Sequence, residues 1–177
     1  MKTIWSFVAV LLLVAACNKD ESVESGGKVN PTVSYYIHCK IDGVKKTFNV
    51  APVAAVQDLG AGTFSYTIAG KATADAANYE SFNIAIQIAD SIQPGAYSEL
   101  DSSSTYLLAA VYNPNTTDPA RIYASQMDAS DPFQLSVNVI TDSLMSGSFK
   151  GTLIMNGMDT GLAPIVVSDG DFKVKVQ

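Results

Sequence analysis

Apolar and polar residues alternate with a period of two along most of the chain from residue 33 onward. The opening segment shows this most clearly, with apolar side chains at every second position: Tyr35, Ile37, Cys39 and Ile41. Such alternation is typical of a β-strand with one buried face. Asp42-Gly43 follows and predicts a two-residue hairpin turn, because both turn positions need a positive φ. This turn would place Phe48 opposite Ile37 on the apolar face.

The same alternation recurs further along the chain, interrupted by turn-forming residues. Strands are predicted for these segments: Thr63–Lys71, Tyr79–Asp90, Tyr106–Tyr112, Arg121–Gln126, Phe133–Thr141, Gly147–Met155, Ile165–Ser168 and Phe172–Val176. Asp169-Gly170 predicts a closing hairpin between the last two, and Gln93-Pro94-Gly95-Ala96 fits a type II turn. Gly151 predicts a β-bulge within its strand. No segment beyond residue 16 has the period of an amphipathic helix.

About nine or ten short strands separated by turn signals predict a single all-β domain at residues 33–177. Uneven strand lengths and several long connections favour an antiparallel β-sandwich. A lipocalin-like closed barrel is the alternative. The strand at Tyr79–Asp90 has large apolar residues on one face and small or polar ones on the other. That second face is expected to contact solvent or to form a shallow groove.

Composition limits the classes of function. The chain has 177 residues, with 11 Lys and Arg against 17 Asp and Glu, and a formal net charge of −6. This charge argues against a nucleic-acid partner, since phosphate backbones select basic surfaces. A single histidine and two cysteines argue against a histidine-rich metal site and against a disulfide scaffold. The acidic turn Asp169-Gly170-Asp171 also offers too few oxygen ligands for Ca²⁺, so we expect no metal and no other cofactor.

Residues 1–16 have the pattern of a secretory signal peptide. Lys2 precedes a mostly apolar run from Ile4 to Val14, which is shorter than the ~20 apolar residues of a membrane span. Val14-Ala15-Ala16-Cys17 then resembles the bacterial lipobox, in which cleavage leaves the cysteine as the new N-terminus. The resemblance implies that Cys17 carries acyl chains, which together anchor a protein stably in a membrane. The alternatives are an ordinary signal peptide with an incidental cysteine and a short membrane anchor.

Residues 17–32 are expected to connect the lipid to the domain. Residues 18–32 are polar, contain glycine and lack an apolar period, as in a flexible tether. Within this segment, Lys19, Asp20 and Glu21 resemble the export signal that sends lipoproteins of Bacteroidota to the cell surface. The resemblance implies a lipid anchor in the outer membrane with display at the cell surface. Location in the periplasmic leaflet, with these residues as a solvated tether, is the alternative.

Segments of the domain extend the resemblance to a family. They are Ile37-His38-Cys39-Lys40-Ile41-Asp42-Gly43, Phe82-Asn83-Ile84-Ala85-Ile86 with Pro94-Gly95-Ala96-Tyr97, and Ser146-Gly147-Ser148-Phe149 with Ser168-Asp169-Gly170-Asp171-Phe172. These turns and strands resemble small all-β lipoproteins of Bacteroidota over most of residues 33–176. That family has no agreed activity, so the resemblance implies a fold and a location and no reaction.

The residues that could carry catalysis do not form a catalytic set. His38 and Cys39 are neighbours in one predicted strand and therefore point to opposite faces, out of hydrogen-bond reach of each other. Serines are numerous, but the chain has no Gly-x-Ser-x-Gly motif, and His38 alone would have to serve any triad. The aspartates cluster at predicted turns, where their side chains bond to their own backbone. The sequence therefore predicts a protein that is not an enzyme.

Tyrosine is the residue most suggestive of a binding surface, with eight copies in the chain. Its ring offers a flat apolar face and its hydroxyl a hydrogen bond, which suits a sugar ring or a protein surface. Tyr36 and Tyr112, which lie beside polar neighbours or a loop, are the candidate ligand contacts. Packing within the sheet is the alternative for each of them.

Two short motifs resemble the O-glycosylation signal of Bacteroides-type bacteria, an Asp followed by Ser or Thr and an apolar residue. They are Asp90-Ser91-Ile92 and Asp142-Ser143-Leu144, both at predicted strand ends, which makes Ser91 and Ser143 candidate modification sites. The patterns together predict a lipid-anchored cell-envelope binding module for a glycan or a protein. A structural accessory subunit of an outer-membrane assembly is the alternative.

Overall fold

The computed structural model describes residues 34–78, 80–99, 101, 105–114, 121–126, 131–155 and 163–177. Within these ranges the chain forms strands and no helix, so the all-β prediction is confirmed. The strands are β1 (Tyr36–Ile41), β2 (Val44–Thr47), β3 (Val50–Gly60), β4 (Thr63–Lys71), β5 (Ser81–Ala89), β6 (Gly95–Ser98), β7 (Tyr106–Asn113), β8 (Tyr123–Ala124), β9 (Gln134–Ile140), β10 (Leu144–Met155) and β11 (Ile165–Val176). The signal peptide, Cys17 and the tether predicted at residues 1–32 lie outside the described residues.

Hydrogen bonds connect the strands in the order β2-β1-β11-β3-β4-β5-β7-β8-β10-β9-β6, with a further pairing between β11 and β10. Two faces can be traced in this order. The first sheet is β2-β1-β11-β10-β9-β6, and the second sheet is β3-β4-β5-β7-β8. They are joined at two corners, where β11 pairs in parallel with β3 and β10 pairs with β8. Seven of these strands, β11-β3-β4-β5-β7-β8-β10, form a closed ring of pairs within one continuous sheet. This arrangement is compatible with the predicted sandwich and with its barrel alternative.

The hairpin predicted at Asp42-Gly43 is confirmed. Ile41 pairs with Val44, and the Phe48 N–H donates to the Ile37 carbonyl at 2.8 Å, as the two-residue turn requires. Both turn residues have positive φ, 50° at Asp42 and 79° at Gly43. The apolar face of β1 is buried, which leaves the side chains of alternate β1 residues on the outer face of the first sheet.

The hairpin predicted at Asp169-Gly170 is wrong, because β11 runs through this dipeptide as one strand. The strand is paired on both sides, to β1 and to β10, and both ladders shift register near the dipeptide. Asp169 takes the left-handed conformation, with φ of 49°. A β-bulge therefore absorbs the residues that would otherwise form a turn. As a consequence, Asp171 lies beside β1 in the middle of the first sheet.

Two further differences from the sequence prediction concern glycine- and proline-containing segments. The type II turn at residues 93–96 is wrong, because Gly95 and Ala96 belong to β6 and Gly95 lacks the positive φ of such a turn. The strand β3 was not predicted. It contains Pro52, which is tolerated because β3 has a full ladder only with β4 and meets β11 at just Val53 and Ala54.

Aromatic side chains join the inner faces of the two sheets. Phe82 of β5 and Phe149 of β10 stack with ring centroids 5.0 Å apart. Phe149 also packs against Phe133 at 6.1 Å and Phe172 at 6.4 Å. These rings and the aliphatic residues around them are buried. Because the space between the sheets is filled by apolar side chains, the polar groups that could meet a ligand lie on the outer faces.

Candidate functional site

Tyr36 lies on the outer face of the first sheet, where it stacks on His38. The two residues alternate with the buried positions of β1, and their rings are 4.5 Å apart at an interplanar angle of 15°. Among the described residues no other ring contacts Tyr36. One face of the Tyr36 ring is therefore covered by an imidazole, which leaves the opposite face as the candidate for a ligand contact.

Asp171 of β11 completes this group. It pairs directly with His38 in the ladder between β1 and β11. Burial, followed by the negative charge of Asp171 and a hydrogen bond from the phenol to its carboxylate, raises the pKa of Tyr36. A carboxylate can accept about four hydrogen bonds, so Asp171 keeps acceptor capacity for a further donor. We call Tyr36, His38 and Asp171 the Tyr36 platform.

A cavity of about 460 Å³ adjoins the Tyr36 platform on the side of β2, with Lys40, Lys45 and Thr47 among its lining residues. The Lys40 Nζ atom lies 2.7 Å from an Asp169 carboxylate oxygen. This hydrogen bond and charge hold the pKa of Asp169 below its ordinary value. The cavity is thus lined by paired charges and by side chains that can donate to hydroxyl groups.

Tyr112, the second predicted ligand contact, does not present its ring at the surface. Its side chain is 6% exposed, and its ring packs beside Phe82 and Phe48 in the core. The hydroxyl donates to Glu80 Oε1 at 2.7 Å, and the same oxygen lies 2.7 Å from Lys46 Nζ. Burial, followed by the hydrogen bond and charge of Glu80, raises the pKa of Tyr112. The position serves packing, so we do not retain Tyr112 as a ligand contact.

Cys39 and His38 point to opposite faces, as the strand alternation predicts. The Cys39 side chain is 4% exposed, whereas His38 is half-buried on the outer face. Burial raises the pKa of the Cys39 thiol to about 12; Lys46 lowers it, and Asp171 and Glu80 raise it further. A thiol in this environment is protonated at neutral pH and is not an activated nucleophile.

A Ser, a His and an Asp lie in one row across the first sheet, but in an order that does not activate the serine. Asp171 pairs with His38 on one side and with Ser148 of β10 on the other. The carboxylate therefore stands between the two, whereas a nucleophilic serine needs the imidazole next to its hydroxyl. In the described part of the chain, no three His, Cys, Asp or Glu residues are grouped to hold a metal ion.

Both predicted modification sites are exposed and lie at strand ends. Ser91 follows β5, and its hydroxyl accepts a hydrogen bond from Gln93 Nε2 at 3.0 Å. Ser143 precedes β10, and its carbonyl accepts from the Val176 N–H at 3.2 Å. Glycosylation of the two serines stays a prediction. Cys17 and the signal at Lys19, Asp20 and Glu21 lie outside the described residues.

Comparison with known proteins adds no assignment to this geometry. The chain matches no protein-family model, no curated protein and no solved structure. In the ranges that the structure describes, no helix has the length and apolar character of a membrane span. The function is therefore argued from the side chains themselves.

Sequence reasoning named Tyr36 as a candidate and placed His38 on the same face, but it did not bring Asp171 to them. Strand alternation places His38 on the same face as Tyr36, so that neighbour could be found from the period of two. Asp171 could not be found in this way, because the predicted hairpin at residues 169–170 separated it from β1. The sequence does show that Asp171 alternates with the apolar residues Phe172 and Val174, which are buried. This pattern predicts the face on which Asp171 lies but not the strand that pairs with it.

Proposed function

We propose that the protein is a lipid-anchored binding module of the cell envelope whose Tyr36 platform binds carbohydrate. The observation that carries the proposal is a half-buried aromatic ring that stacks on an imidazole, contacts no other described ring and lies close to the Asp171 carboxylate on a polar sheet surface. The C–H groups of a sugar ring can stack on such a face, and the sugar's hydroxyls can donate to the carboxylate. The cavity next to Lys40 gives the rest of an oligosaccharide room and hydrogen-bonding partners.

Replacing Tyr36 tests the platform. We expect Tyr36→Ala to weaken glycan binding about tenfold, because an aromatic contact is worth about 0.5–1.5 kcal/mol and the substitution also removes the hydroxyl close to Asp171. Tyr36→Phe keeps the ring and should retain most of the affinity. The measurement is binding to a glycan array followed by titration with the strongest binder, using the Cys17→Ala chain. If the Tyr36→Ala variant and the protein with Tyr36 bind the glycan with equal affinity, the Tyr36 platform is not part of the binding site.

The location is proposed from the N-terminal sequence. A signal peptide at residues 1–16, acylation of Cys17 and a polar tether through residue 32 would hold the domain at the outer membrane. Lys19, Asp20 and Glu21 would direct it to the cell surface. A surface position places the platform where external or envelope glycans are accessible.

Replacing Lys19, Asp20 and Glu21 together by alanine tests surface export. We expect the triple variant to become protected from protease added to intact cells, while it stays in the membrane fraction. The matched control is Cys17→Ala, which should lose the acyl chains and leave the membrane fraction or persist as the precursor. Mass spectrometry checks acylation in both variants. Unchanged protease accessibility of the triple variant would count against surface export and leave the periplasmic leaflet as the location.

A structural accessory subunit is the second candidate function, and the free part of β3 favours it. The Val56 N–H donates to the Gln177 carbonyl at 3.0 Å, and beyond Val56 this strand pairs only with β4 among the described residues. Val56 is 37% exposed and Leu59 is 45% exposed. Exposed apolar residues on a strand edge are typical of contacts between protein chains. The Gly60 N–H at the end of this edge is already bonded to Asp58 Oδ1 at 2.7 Å, which shortens the edge open to a partner strand. Absence of binding across the whole glycan array would favour this second function.

A further inference from the structure

A second, larger groove lies on the outer face of the second sheet. Its volume is about 600 Å³, within the range of small-molecule sites. Three paired strands form its base: Lys71 of β4 is opposite Ser81 of β5, which is opposite Asn113 of β7. Asn83 projects on the same face two residues further along β5. This is the small and polar face of the strand predicted at Tyr79–Asp90, which the sequence suggested would contact solvent or form a shallow groove.

The wall of the groove is a loop whose polar groups form hydrogen bonds with one another. The Asp75 N–H donates to Thr73 Oγ1 at 3.0 Å, and Asp75 Oδ1 accepts from the Ala77 N–H at 2.9 Å. The Glu80 N–H donates to Asn78 Oδ1 at 2.9 Å, and the Ala72 N–H donates to the Glu80 carbonyl at 2.9 Å. The wall is therefore braced before any ligand arrives.

The side-chain amides at the base of the groove, in contrast to the polar groups of the wall, are not used in hydrogen bonds within the described part of the protein. Within the described residues, the side chains of Asn83 and Asn113 make no hydrogen bond, although both line the groove and are half-buried. Each amide has one acceptor oxygen and two donor hydrogens. Both groups line one cavity next to a fixed wall, where they offer hydrogen-bonding positions that a ligand can complete in place of solvent.

The opposite rim of the groove contains a strained residue. Ala51 has φ of 49°, which places a residue with a Cβ in the left-handed region at a cost of about 1–2 kcal/mol. It lies where the ladder between β3 and β4 shifts register, between Val50 and Val53. With Ala69 it provides a rim and base of small side chains, so a ligand can approach the sheet backbone closely.

We propose that this groove is a second ligand-binding site, selective for an uncharged, polyhydroxylated ligand such as a neutral oligosaccharide. Asparagine side chains both donate and accept, which matches sugar hydroxyls that do the same. Lys71 and Asp75 give the lining one charge of each sign, so the groove has no excess charge to select an anion or a cation. Its ligand would bind by its hydroxyl edge, since none of the lining residues is aromatic in the part of the chain that the structure describes.

The experiment is an amide NMR titration of the Cys17→Ala chain with maltose, cellobiose and lactose, and with glucuronate as the charged comparator, at up to about 10 mM. We expect at least one neutral disaccharide to shift the backbone signals of Asn83 and Asn113. The Asn83→Leu variant should bind it at least about tenfold more weakly, because it loses hydrogen bonds and leaves sugar hydroxyls unpaired. Asn138→Leu is the matched control, because Asn138 is an exposed asparagine of β9 that does not line the groove, and this variant should change nothing.

The outcomes separate this site from the Tyr36 platform. Tyr36→Ala should leave the shifts at Asn83 and Asn113 unchanged, because the platform lies on the other sheet. Asn83→Ser keeps a small polar side chain and serves as a second variant if Asn83→Leu disturbs the sheet, which its spectrum would reveal. The proposal is overturned if none of the three disaccharides shifts these signals, if both Asn83 variants bind as before, or if glucuronate binds more tightly than the neutral sugars.

Discussion

The Gly147→Ala variant is expected to lose about 3 kcal/mol of unfolding free energy, an effect at the upper end of those caused by overpacking a core. Gly147 lies in β10 opposite Phe172 of β11 and beside β9. A Cβ at this position would collide with the Ser136 carbonyl oxygen and stand 2.9 Å from two atoms of the Phe172 ring. The backbone carbonyl cannot move without breaking the ladder between β9 and β10, so the sheet must distort.

The matched control is Gly95→Ala. Gly95 also lies in a strand of the first sheet, but an added Cβ has no atom within 4 Å and its φ is not in the left-handed region. Its unfolding free energy should stay within about 0.5 kcal/mol of the original. Urea unfolding followed by fluorescence or circular dichroism measures both. Equal midpoints for the two variants would mean that β9, β10 and Phe172 are not packed as described.

The two Asp-Gly dipeptides show how far local sequence determines this fold. Asp42-Gly43 forms the predicted turn, because β2 pairs only with β1 and the pairing of β1 with β11 on its other side ends at the turn, so no ladder opposes the reversal. Asp169-Gly170 carries the same local signal. There, β1 and β10 pair with residues on both sides of the dipeptide, and a turn would break both ladders. Long-range pairing therefore decides between a turn and a bulge, and a single sequence does not contain it.

The residues of the candidate site show the same difference between what local sequence predicts and what long-range pairing decides. The face of Tyr36 and His38 follows from the period of two, which is a local property of β1. Tyr112 belongs to a strand whose sequence is apolar on both faces, so its period assigns no inner side. The ladder between β5 and β7 places Tyr112 opposite Phe82, inside the core. The groove is formed by three strands in register and a loop, and the sequence alone predicted only the strand face that carries Asn83.

Cys39 is expected to react with a thiol reagent about 1000-fold more slowly in the folded protein than in the unfolded chain at pH 8. Its pKa rises from an ordinary value of 9.0 to about 12, which lowers the thiolate fraction by about three orders of magnitude. Its 4% exposure further restricts access of the reagent. The measurement is the rate of labelling by a chromogenic disulfide in the Cys17→Ala variant, where Cys39 is the single thiol, with and without urea.

The same shift determines how stability depends on alkaline pH. Because the pKa of Cys39 is raised in the folded state, its contribution to the free energy of unfolding is fully present below pH 9.0. That contribution is lost as the pH rises through about 12, since the unfolded chain loses the Cys39 proton first. Cys39→Val removes this titration and should flatten the decline of the unfolding free energy that begins near pH 9.0. The raised pKa of Tyr112 leaves a second decline that starts at higher pH, near 10.0, and that decline should persist in Cys39→Val. Rapid labelling of folded Cys39, or an unchanged alkaline decline in Cys39→Val, would show that the inner face of β1 is open to solvent.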